Sequence, residues 1–176
     1  IRLDMSEFQQ EHEVSKFLGA PPGYKGHEDG GQLTNALLKN PGAVVLLDDI
    51  EKSHEDVLHR LLHCFDEGRI TDGQGALVDA TLATFILTSN VAQTEIALDA
   101  DALQRAFNSC DQALVSLTDI QINKAKLEET VLPIVRETLN KKNDEFLGRI
   151  DETMLFLPFT PQQQITLANK YLEVWR

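Results

Sequence analysis

"AVVLLDDIEKSHEDV" (residues 43–57) runs from an aliphatic stretch straight into two adjacent carboxylates. Val44, Val45, Leu46 and Leu47 have the composition of a short strand buried on both faces, as in a parallel sheet. Asp48 and Asp49 then fall at the strand's C-terminal end, the edge of an α/β sheet where ligands bind. Two readings stay open on this stretch alone. The aspartates cap the turn into "IEKSHED", or they serve metal and water chemistry. Side chains alternate along a strand, so one carboxylate can orient a magnesium shell while its neighbour polarises a water beside a triphosphate.

Outward from this strand, strands and helices alternate. "IRL" (1–3) reads as a strand tail, followed by a helix start in which Ser6 and Gln9 have capping-box spacing. "GAPPGYKGHEDGG" (19–31) is a Gly/Pro-rich loop, and "QLTNALLKN" (32–40) is a short amphipathic helix stopped by Pro41-Gly42. After the 43–47 strand, "SHEDVLHRLLHCFDEG" (53–68) is a helix with Gly68 as its stop signal. Asp72-Gly73 marks a hairpin in "RITDGQGALVD" (69–79), and "ATFILTSN" (83–90) is a second buried strand ending in Asn90. Helices are expected at 93–108 and about 123–146, a third strand-like run at "TMLFLPF" (153–159), and a last helix opening near Pro161. The pattern predicts an α/β domain with a parallel sheet flanked by helices on both faces, and Asp48, Asp49 and Asn90 gathered at one edge. Asn90 adds an amide able to position the same water.

The totals set bounds. The chain has 176 residues, 28 acids against 16 bases, and a formal net charge of −12. That balance opposes attraction to a nucleic-acid backbone or to anionic lipid. No apolar run reaches the length of a membrane span, so neither nucleic acid nor membrane insertion is expected. Cys64 and Cys110 form neither a disulfide framework nor a CxxC pair, and read as reduced apolar residues. His59 and His63 share one helix face at i, i+4, but no third ligand is evident and a partly packed helix surface is the default. The opening at Ile1, inside a strand-like segment, reads as a piece of something longer, with any targeting signal outside it.

Five motifs carry a resemblance. "GAPPGYKGHEDGGQLT", "VVLLDDIEKSHEDV", "DEGRITDGQG", "TSN" and "FLGRIDE" stand in the order and spacing of the second AAA+ module of Clp-type disaggregases, the ClpB family. "FLPF" (156–159), "NKYLEVW" (169–175) and the stretch after "TSNVA" look most like the animal mitochondrial members. The resemblance implies an AAA+ large subdomain over 1–159, lacking its N-terminal Walker A part, and the start of a C-terminal small lid over 160–176. Asp48 would be the Walker B aspartate associated with Mg²⁺, and Asn90 would be sensor 1. Asp49 would stand where the family has a catalytic glutamate, so Asp48, Asp49 and Asn90 would face ATP. Arg149 would reach the nucleotide site of a neighbouring subunit, although a local ion pair with Asp151 or Glu152 is the plainer alternative. Gly23, Tyr24, Lys25 and Gly26 would form a pore loop gripping polypeptide, unless Tyr24 packs beneath its own loop. Asp72 and Gln74 would face the same channel or simply form a hairpin tip.

The function so implied is an ATP-dependent disaggregase or unfoldase that threads unfolded or aggregated polypeptide through a homo-oligomeric, hexameric ring, soluble and mitochondrial. The alternative is a degenerate module that holds polypeptide or supports a ring without hydrolysis. Three departures bear on this. G-x-x-x-x-G-K-[ST] does not occur in the 176 residues, so this piece alone is expected to be inactive. Asp49 is one methylene shorter than glutamate, which implies slowed hydrolysis. Lys25 replaces the usual small apolar residue, which implies a preference for acidic substrates.

Overall fold

The computed structural model describes residues 1–24, 26–94, 96–97, 133, 137, 145–154, 156, 158–159 and 161–174. Three parallel strands, β1 (Arg2–Asp4), β2 (Val44–Asp48) and β3 (Thr84–Leu87), pair in the order β1-β2-β3. The register sets Arg2 opposite Leu46 and Asp4 opposite Asp48, and Leu47 opposite Leu87. β2 is therefore the middle strand, which is where a run of Val and Leu is most useful.

Helices α1 (Glu11–Leu18), α2 (Gln32–Lys39) and α3 (Glu55–Glu67) join the core through one face of this sheet. That core takes Leu3, Val45 and Leu47 from the strands, and Phe17, Leu33, Leu37, Leu58 and Leu61 from the helices. The expectation that β2 is buried on both faces is corrected here. Val44 is 54% exposed and Leu46 half-buried, because successive side chains alternate and the core takes only the Val45–Leu47 side. On β3 the same open row includes Ile86.

Local chemistry explains most element boundaries. The Ser6–Gln9 capping box is also corrected. Asp4 caps a single 3-10 turn (Met5–Phe8) by accepting from the Ser6 amide and hydroxyl. The reach-back occurs one turn later, where Glu13 Oε2 accepts from the Gln10 amide at 3.0 Å and opens α1. His54 caps α3 through Nδ1, and Gly68 ends it in the left-handed region, φ 67°, with its N–H on the Cys64 carbonyl. Burial pushes the Cys64 thiol up to about 11, as suits an inert core residue. The antiparallel hairpin of β-strands Arg69–Thr71 and Leu77–Asp79 turns at Asp72, whose carboxylate accepts from the Gln74 and Ala76 amides.

The chain divides into two compact units, 1–91 with 135–152 and 92–134 with 153–176. In the second, α4 (Pro161–Val174) starts at Pro161 as the sequence suggests. Of the "TMLFLPF" run, the described residues 153, 154, 156, 158 and 159 are not in a strand, and Met154 and Phe156 are exposed. Hydrophobic composition favours a strand, but among the described residues no strand pairs with this run, so no ladder holds it. The expected helices at 93–108 and 123–146 fall almost wholly outside the described residues.

Three glycines interleave where the 19–31 loop meets the hairpin tip. A Cβ on Gly31 would lie 2.2 Å from the Leu18 carbonyl carbon, and one on Gly73 2.2 Å from the Gly19 oxygen. The Gly73 amide donates to the Leu18 carbonyl at 3.0 Å, and Gln74 Nε2 donates to the His27 carbonyl at 3.0 Å. Overpacking of this kind costs about 1–3 kcal/mol. Gly73→Ala is therefore expected to lower stability by about that amount, read as a reduced urea midpoint at unchanged m-value; an unaltered midpoint would contradict the close approach.

Candidate functional site

The parallel register brings the C-terminal ends of β2 and β3 side by side. Past the strands the pairing continues, with the Thr88 amide donating to the Leu47 carbonyl and the Ile50 amide to the Thr88 carbonyl, both at 3.0 Å. Thr88 thereby faces the Asp48 carboxylate and the Asp49 backbone. Its hydroxyl donates to Asp48 Oδ1 at 2.5 Å and accepts from the Asp49 amide at 3.1 Å. Arg2 completes Asp48 from the other side, its Nη2 lying 2.5 Å from Oδ2. The Thr88 hydroxyl, then the Arg2 guanidinium, hold the Asp48 carboxyl below the usual carboxylate range.

Asp49 follows in a different conformation. Its φ of 57° and ψ of 54° place it in the left-handed region, which costs a non-glycine residue about 1 kcal/mol and which Asp tolerates better than most. The bend turns its carboxylate toward Asn90 Nδ2, 2.7 Å from Oδ1, and Lys52 Nζ, 2.6 Å from Oδ2. Asp49 lifts the Lys52 ammonium above its ordinary range. Asn90 is held in turn by its own amide, which donates to Glu51 Oε1 at 3.1 Å. Asp48, Asp49 and Asn90, expected from the sequence to gather at one edge, form a connected cluster.

The cluster's chemistry suits a hydrated divalent cation. Magnesium is commonly held through its waters by one or two carboxylates together with phosphate oxygens. Asp48 is ionised at neutral pH and its side chain is 26% exposed, so its donor chemistry fits that group.

The remaining expected residues lie elsewhere. Arg149, at the end of a 3-10 turn (Phe146–Arg149), pairs with Asp66 on α3 rather than with Asp151 or Glu152. The local-pair expectation assumed sequence neighbours, whereas the turn packs on α3. Tyr24 is 71% exposed, so it does not pack beneath its loop. Gly23 and Gly26 flank that loop with φ of 87° and 88°, and Lys25 lies outside the described residues. Asp72 is occupied within its own turn and Gln74 reaches His27, as hairpin-tip residues. Sequence reasoning missed Thr88, Arg2 and Lys52. Thr88 had a signal, since it sits two residues beyond Ile86 on the Asp48 side of the sheet; Arg2 and Lys52 become visible only with the register and the bend in hand.

The chain belongs to the AAA domain family (Cdc48 subfamily), whose family model matches residues 1–153. It is 50% identical over 183 residues to a mitochondrial disaggregase of Homo sapiens, covering 99% of this chain and 26% of that protein. The Bos taurus mitochondrial disaggregase is likewise 50% identical, over 99% of this chain and 27% of its own length. The chaperone protein ClpB of Blochmanniella floridana is 41% identical over 175 residues, 98% of this chain and 18% of its own length. The resemblance to ClpB-type chaperones thus extends along nearly the whole chain, which spans about a quarter of the mitochondrial relatives.

Thr88→Val removes both hydroxyl contacts and should raise the Asp48 pKa toward its ordinary value. A depressed carboxylate stabilises the fold above its unfolded pKa, and that contribution is lost as pH falls through the folded value. The variant should therefore be less stable at pH 7, and the gap should narrow in acid; urea midpoints at pH 7 and pH 3 check this, and an equal gap at both contradicts it.

Proposed function

We propose that the chain is the part of an ATP-driven protein disaggregase that carries the hydrolytic carboxylates and a polypeptide-gripping loop. The observation supporting this most directly is the Asp48–Thr88–Asp49–Asn90 cluster at the strand ends of an AAA domain. The names of the relatives, mitochondrial disaggregase and ClpB chaperone, agree with it. On this reading Asp48 holds the hydration shell of Mg²⁺, Asp49 takes the proton of the attacking water, and Asn90 aims that water. Magnesium-bound ATP supplies the electrophilic phosphorus and the charge that draws these groups together. Arg149 serves the site of a neighbouring copy in a homo-oligomeric ring, as in a hexamer, where a planar guanidinium can neutralise charge on the transferring group. Gly23, Tyr24, Lys25 and Gly26 meet the substrate, unfolded or aggregated polypeptide threaded through the ring, by exposed aromatic area on a loop. The setting is mitochondrial. Residues 1–159 act as the AAA+ large subdomain and 160–176 begin its lid.

The pattern that cradles ATP phosphates is not among these 176 residues, so this chain by itself should show little ATP binding or turnover. A second reading has a specific observation behind it. Asp49 is a short carboxylate with both oxygens engaged, by Lys52 and Asn90, which suits a degenerate module that holds polypeptide or supports a ring without hydrolysing ATP.

Turnover in the full-length protein separates the two readings. A carboxylate short by about 1.5 Å is misplaced enough to cost on the order of 10²-fold. Asp49→Glu should accordingly raise the ATPase rate about 10- to 100-fold; an unchanged rate would refute the geometric handicap. At the loop, Lys25→Val should weaken the preference for acidic over basic peptides, measured by competition binding, and an unaltered preference counts against a channel-facing charge.

A further inference from the structure

Arg149 is held in a way that its proposed role does not by itself require. The turn that carries it is anchored by Phe146, which is 1% exposed and stacks against Phe65 of α3 with ring centroids 5.8 Å apart. Phe65 in turn meets Phe85 of β3 at 5.2 Å, so the turn is tied through α3 to the sheet. One residue beyond Phe65, Asp66 faces Arg149: Oδ1 accepts from Nε, and Oδ2 lies 3.5 Å from Nη2. The contact raises the Arg149 pKa, chiefly through that hydrogen bond.

A guanidinium has two bidentate edges. Asp66 takes the Nε–Nη2 edge, while among the described residues Nη1 makes no hydrogen bond and the side chain is 40% exposed. The outer edge, Nη1 with the second proton of Nη2, is the one that matches two oxygens of a phosphoryl group. An unpaired arginine would sample many rotamers of its long stem, and each ordering event would oppose the approach of charge to it.

We propose that Asp66 is a positioning residue for Arg149, fixing the inner edge of the guanidinium so that its outer edge is presented to an anionic phosphoryl group on an adjoining copy. This rests on the reading of Arg149 given above, and deepens it: Asp66 touches no nucleotide and acts through the arginine alone. The aromatic anchor sets where the turn sits, and the carboxylate sets which way the cation points. The sequence offers the pair no signal, since the two residues are 83 positions apart.

The test uses the full-length assembled protein and steady-state ATP turnover, with assembly and melting temperature recorded for each variant. Asp66→Ala should lower kcat about 10- to 100-fold while moving the KM for ATP little, the pattern of misplacement rather than lost ground-state binding. Asp66→Glu should restore part of the rate. Combining Asp66→Ala with Arg149→Ala should be no slower than Arg149→Ala alone, because the carboxylate has nothing left to position. If Asp66→Ala does not assemble, the near-isosteric Asp66→Asn carries the same comparison. Full turnover with the Asp66 variants beside a slow Arg149→Ala protein overturns the positioning role, as do losses that multiply in the double variant. Full turnover with Arg149→Ala instead overturns the underlying reading of Arg149, and the two failures are thereby distinct.

Discussion

A single hydroxyl joins the two aspartates on which the candidate site depends, Asp48 through its carboxylate and Asp49 through its backbone amide. Thr88 can donate to Asp48 and accept from the Asp49 amide only because β3 lies beside β2, parallel and in the register that aligns Leu47 with Leu87. That register is itself held by the core below, where Val45 and Leu47 meet the helices and a one-residue slip would turn both toward the open face. Apolar packing at Leu47 and Leu87 thus fixes the polar geometry of the residues that follow them, Asp48 and Thr88.

Each acid at this edge is given its own cation. Arg2 stands at Asp48 and Lys52 at Asp49, so each of the two adjacent negative charges at the end of an apolar strand has a cation against it. The two cations are exposed while their aspartates are half-buried, and the pairs fix the orientation of the carboxylates. The left-handed backbone at Asp49 separates the two carboxylates, sending one across the sheet to Thr88 and Arg2 and the other toward Asn90. Strain retained at one residue in this way is common where a side chain must be aimed.

Much of this was legible in the residues. The aliphatic run before Asp48, Asp72-Gly73, Gly68 and Pro161 each have a physical meaning that does not depend on distant parts of the chain, and each marks the element boundary expected of it. Partners distant in sequence were not legible. Arg149 finds Asp66 across 83 positions, and the face of β2 that stays open is decided by which helices reach it, not by the hydrophobicity of Val44. The opening turn failed for a third reason. Ser6 and Gln9 offer one capping pattern and Gln10 with Glu13 another, and Asp4 captures Ser6 first.

The interleaved glycines divide the 19–31 loop into a mount and a display. Gly31 lies against the Leu18–Gly19 backbone and Gly73 against Gly19, with no room for a Cβ at either, whereas a Cβ at Gly23 would meet nothing within 4 Å. Chemistry at the outer bend is consequently decoupled from the stability of its base. A substitution at exposed Tyr24 would change what the loop touches and leave the attachment beneath it in place.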